Sequence, residues 1–175
     1  MGDFFTTIYC LFEDFFGLEL ASYLAGEATE RQQAVMFNNI GLVMFGISLV
    51  VAVLFYYVVN HPRLNNWWGW GIFLFINALV NYLVGWRWVL SHLLDGMMEK
   101  MDQATSQLVP LGITEADCMG FGFANMLVSI VTFIIISYLI KWGSTNVPRA
   151  PFYGKSQQWE MISFDTRRVW LYHHT

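Results

Sequence analysis

The chain has 175 residues, of which 56% are hydrophobic and only 13% charged, and its net charge is −4. A soluble domain usually carries about 25% charged residues, so much of this chain has no need of water. Two cysteines, Cys10 and Cys118, exclude a disulfide scaffold and a multi-cysteine metal site.

The composition therefore points to an all-α integral membrane protein. Aromatic residues reach 18%, with eight Trp, which suits a chain crossing two membrane–water interfaces. A moderate mean hydropathy of +0.45 leaves polar segments outside the bilayer. The N-terminus lacks a basic region and acids interrupt its apolar stretch, so it does not read as a cleaved signal peptide. Neither cysteine has a lipidation context.

In chain order, residues 1–34 read as an amphipathic, interfacial segment. Phe4, Phe5, Ile8, Leu11, Phe12, Phe15 and Phe16 follow the three-and-four step of one helix face, predicting a helix over about 3–24. Glu13 and Asp14 would sit at mid-membrane if that helix spanned, which is costly. The expected place is therefore the membrane interface or the surface of other protein. A polar run from Glu27 to Gln33 follows.

The first transmembrane helix is expected over 35–59, because Ile40 to Val59 is free of charge and long enough to cross. Residues 60–66, with Pro62 and three Asn, form a hairpin loop. The second span covers 67–90. Trp67, Trp68 and Trp70 anchor one end at the interface, and Trp86 and Trp88 the other. From Trp68 to Trp86 is about 27 Å at helical rise, close to a hydrocarbon core of about 30 Å.

Residues 91–117 form an acidic connection. Leu94, Met97, Met98, Met101 and Leu108 recur at helical spacing, predicting a short amphipathic helix that ends before Pro110. The third span covers 118–140 and has no charge. A tail over 141–175 carries Pro148, Pro151 and Gly154 and reads as extended or hairpin-like.

Three spans put the two ends of the chain on opposite sides. Arg31, Arg87 and Lys100 fall on one side; Arg63, Lys141, Arg149, Lys155, Arg167 and Arg168 fall on the other. The positive-inside rule then places the C-terminus in the cytoplasm and the N-terminal region outside a cell membrane.

Asn77 and Asn81 lie four apart, on one face of the second span; Asn125 lies in the outer half of the third, and Asn38 and Asn39 open the first. An Asn facing lipid leaves its amide unpaired, so these residues are expected either to join helices or to line a pore. Gly41, Gly46, Ser48, Gly120 and Gly122 suit close helix contacts. Cys10 and Cys118 share the outer side and are a candidate disulfide, with two unjoined thiols as the other reading.

Other chemistry finds little support. No ionisable residue lies centrally in the three spans, as proton-coupled transport would need. His61, His92, His173 and His174 make no facing pair for haem. Asp95, Glu99 and Asp102 lack calcium-loop spacing. No nucleophile–base, phosphate-loop or zinc motif occurs, and the Arg167–Arg168 pair is too small for nucleic-acid binding. The expectation is a non-enzymatic membrane subunit without cofactor or metal. Its partners would be lipid and other membrane subunits in a larger assembly, such as a secretion or other envelope machine. The alternative is a self-assembling channel with Asn77 and Asn81 toward the pore.

Overall fold

A computed structural model describes residues 3–26, 36–58, 67–101 and 108–141. The hairpin loop, the polar run and the tail expected from the sequence lie outside the described residues, apart from the first tail residue, Lys141. Among the described residues, three helices are long and apolar enough to cross a membrane: Met36–Tyr57, Trp67–Leu94 and Glu115–Ile140. They correspond to α3 (Met36–Val53, continued by a π-helical turn over Leu54–Val58), α4 (Trp67–Leu94) and α5 (Glu115–Lys141).

Helix α5 packs along α4 over most of its length and also against α3, whereas α3 and α4 meet less. One apolar cluster joins the start of α3, the end of α4 and the start of α5. A second joins Ala52, Phe55 and Tyr56 of α3 to Trp70 of α4 and Phe133 and Ile136 of α5. Thus α3 and α5 run parallel and α4 runs against both. The exposed side chains along the middle of these helices are apolar: Leu49 and Val50, Phe75 and Leu79, Val131 and Ile135.

The N-terminal segment is not one helix. It folds as α1 (Asp3–Cys10), a 3-10 turn over Glu13–Phe15, and α2 (Leu18–Ala25). Gly17 separates them at φ 81°, a left-handed conformation that side-chain-bearing residues avoid. The break lets both halves bury apolar faces on the chain's own spans. Tyr9, Phe16, Leu20 and Leu24 are all within 1% of full burial. Phe5 packs onto Gly41 of α3, and the Phe15 backbone onto Gly120 of α5. The segment caps one end of the bundle.

Among the described residues, no amphipathic helix follows α4 in the 91–117 connection. Helix α4 runs on to Leu94 and stops at Gly96, which sits at φ 67°. Beyond it, β1 (Glu99–Met101) pairs antiparallel with β2 (Leu108–Pro110), with Lys100 opposite Val109. Helical spacing misled here because Leu94 belongs to α4, while Met98 turns into the core and Leu111 N–H bonds to its carbonyl at 2.9 Å. Glu19 of α2 ties this hairpin to the cap. Its carboxylate accepts from Gly112 N–H at 3.0 Å and pairs with Lys100 at 3.7 Å.

Helix α5 begins three residues before the expected span. Thr114 and Asp117 form a capping box: Thr114 N–H and Oγ1–H both donate to the Asp117 carboxylate at 2.8 Å, and Asp117 N–H reaches back to Thr114 Oγ1 at 3.4 Å. These bonds satisfy amide groups that a helix start leaves open.

Candidate functional site

Five of the buried polar residues of the bundle form one connected ladder. Tyr9, Asn77, Asn81, Asn125 and Ser129 are fully buried. Tyr9 Oη donates to Asn125 Oδ1 at 2.6 Å. Asn125 Nδ2 donates to the Asn81 carbonyl at 2.7 Å. Asn81 Nδ2 is shared between the Asn77 carbonyl at 3.0 Å and Asn77 Oδ1 at 3.2 Å. Asn77 Nδ2 donates to the Ser129 carbonyl at 3.2 Å. Two of these bonds cross between α4 and α5, and one brings in α1.

The ladder exists because α4 and α5 approach closely at two glycines. A methyl on Gly85 would stand 2.9 Å from Asn125 Nδ2 and 3.0 Å from its Cβ. A methyl on Gly122 would stand 2.9 Å from Trp86 Cβ and 3.1 Å from the Tyr82 carbonyl. Small residues at such crossings let backbones meet, and side-chain amides then reach across. By contrast, a methyl on Gly46 would meet nothing within 4 Å, so that glycine makes no close contact.

Gly122 lies at the level of Trp86, the aromatic marker at one end of α4. From that level, Asn125 is about 4.5 Å inward and Asn77 about 13.5 Å inward at helical rise. The ladder therefore descends from the aromatic belt toward the middle of a core about 30 Å thick. Tyr9 closes its upper end. Its ring stacks on Phe37 at 5.3 Å and lies 5.4 Å from Phe121. Burial pushes its phenol pKa up, so it stays a neutral donor.

Asn81 Oδ1, Ser48 Oγ and Trp86 Nε1 are among the buried polar atoms that have no hydrogen-bond partner among the described residues. The side-chain carbonyls of Asn125 and Asn77 thus each accept a hydrogen bond within the ladder, whereas that of Asn81 accepts none among the described residues.

The remaining sequence expectations divide. Asn38 is half-buried and Asn39 exposed, and neither joins the ladder. Trp67 and Trp68 are exposed, as interface anchors should be, whereas Trp70 is a core residue packed 6.1 Å from Phe133. Trp86 and Trp88 are half-buried against the cap cluster. Cys10 and Cys118 are not joined: Cys10 lies on the exposed side of α1 and Cys118 is buried in α5. His92 meets Tyr23 Oη at 3.3 Å, and no group of three metal-ligating side chains occurs among the described residues. Tyr9 and Gly85 were missed from the sequence. Nothing in the spacing of the N-terminal segment singles out Tyr9; Gly85 lies four residues after Asn81, a spacing that places it on the same face.

No protein-family model, curated protein or solved structure matches the chain.

Proposed function

We propose that this chain is a non-enzymatic, multi-pass membrane subunit that serves as a structural or anchoring component of a larger membrane assembly. The observation that carries the reading is where its polar side chains go. Within the three apolar helices, the fully buried amides of Asn77, Asn81 and Asn125 are spent on holding α1, α4 and α5 together, and the exposed faces are apolar. That division suits a rigid scaffold which meets lipid or other apolar helices with its outside. In a channel reading, Asn77 and Asn81 would face a water path; their full burial inside one chain supports the joining role instead. The excess of Lys and Arg in the hairpin and tail supports a cytoplasmic C-terminus.

The test is purification of the full chain from its native membrane in mild detergent. Stoichiometric membrane partners are the expected result. A lone monomer would refute the assembly reading, and a closed homo-oligomer that conducts ions after reconstitution would replace it with the channel.

A further inference from the structure

We infer that the N-terminal cap is embedded in the lipid leaflet at its end of the bundle, with Leu11, Phe15 and Leu18 facing acyl chains at the headgroup boundary. The inference rests on the reading that α3, α4 and α5 cross a membrane, and deepens it by assigning a lipid contact surface outside the spans.

Continuity of one apolar surface is the first argument. Met119, Phe123, Val131, Ile134, Ile135 and Tyr138 are exposed and recur along one side of α5 at helical three-and-four spacing. If α5 spans, this stripe faces lipid. Phe15 of the cap, itself half-exposed, lies on Phe123 with ring centroids 5.5 Å apart. The Phe15–Phe123 contact therefore joins the stripe to the cap. Leu11 and Leu18, four residues before and three residues after Phe15 in the same cap, are 77% and 72% exposed. Large apolar side chains this open, joined to a lipid-facing surface, are stabilised by an apolar surround.

Level is the second argument. The Phe15 backbone touches Gly120 of α5, only two residues, or about 3 Å, outside the Gly122–Trp86 level. Trp86 and Trp88 pack against the same cluster that the cap helps to build. Aromatic belts mark the membrane–water interface, so the cap lies at belt height. Helix α1 runs antiparallel to α3, from Phe5 beside Gly41 to Tyr9 beside Phe37, and its first turn is thus the deeper one. The acids fit the same placement: Asp14 and Glu19 are exposed and Glu13 is half-buried, near enough to water at the interface to remain solvated.

The experiment uses the full chain with Cys10→Ser and Cys118→Ala, spin-labelled at one introduced cysteine and reconstituted in vesicles of phosphatidylcholine and phosphatidylglycerol. Leu11→Cys and Leu18→Cys report the cap, Val131→Cys the middle of α5, and Asp95→Cys the water beyond α4. Collision with oxygen is compared with collision with a water-soluble nickel chelate. The expected result is that Leu11 and Leu18 favour oxygen, closer to Val131 than to Asp95. If Val131 favours oxygen while Leu11 and Leu18 match Asp95, the cap proposal falls and the spans stand. If Val131 also matches Asp95, both fall. A second measurement leaves the chain unmodified: phosphatidylcholine carrying a diazirine high on its acyl chain should label the peptide containing residues 11–18. Labelling confined to α3, α4 and α5 would overturn the proposal.

Discussion

The bond between Tyr9 Oη and Asn125 Oδ1 is the point at which the cap locks into the polar ladder, and it can be weighed by a double-mutant cycle. Both groups are fully buried and 2.6 Å apart. Tyr9→Phe keeps the ring on Phe37 and Phe121 but strands the Asn125 carbonyl. Asn125→Ala strands the phenol and also removes the donor to the Asn81 carbonyl. Stranding one buried partner costs about 1–3 kcal/mol, so each single variant should lose that much, with Asn125→Ala the worse. The double variant strands neither group of the pair and should lose less than the sum. Interhelical side-chain bonds in membrane proteins average about 0.6 kcal/mol and reach about 1.7 kcal/mol. The short distance and the full burial of both residues place this one in the upper half of that range. The assay is reversible unfolding in bicelles with rising dodecyl sulfate, read by Trp fluorescence, with the exposed Tyr57→Phe as control. Additivity within about 0.3 kcal/mol, the ordinary behaviour of uncoupled sites, would refute the bond and with it the lock.

Further outcomes follow from the same contacts. Gly122→Ala puts a methyl against Trp86 Cβ and the Tyr82 carbonyl and should cost about 1–3 kcal/mol, the usual range for overpacking. Gly46→Ala meets nothing within 4 Å and should be neutral or stabilising by up to about 1 kcal/mol through helix propensity; thermal melts in one detergent compare the two. Ser48→Ala removes a buried hydroxyl that has no partner among the described residues and should not destabilise in the same melts. Because burial raises the Tyr9 pKa above its unfolded value of 10.0, its contribution is complete below about pH 10 and is lost as pH rises beyond it. Tyr9→Phe should therefore flatten part of the alkaline fall in stability measured by unfolding titrations. A reporter fused after Thr175 should read cytoplasm and one inserted after Gln107 the opposite side; the reverse pattern would overturn the orientation.

Much of the architecture was legible in the sequence because a membrane span needs only length and apolar composition. Ile40 to Val59, the charge-free run after Cys118, and two Trp clusters one membrane apart each named a long helix, and all three are present. That Asn77, Asn81 and Asn125 turn away from lipid was legible too, with joining helices and lining a pore both left open, since an amide costs too much facing lipid. Tertiary structure decided the rest. Which helix each Asn meets depends on the close approach at Gly85 and Gly122, and a glycine in a membrane helix does not announce its neighbour. The cap folds back on the bundle because Gly17 breaks it and α3 and α5 offer a groove floored by Gly41 and Gly120. Tyr9 becomes the head of the ladder for that reason alone. Periodicity reports which face of a segment is apolar; it carries no information about what that face will be buried against, and this is why the 91–117 connection read as a helix although Gly96 and the pairing of β1 with β2 made it a hairpin.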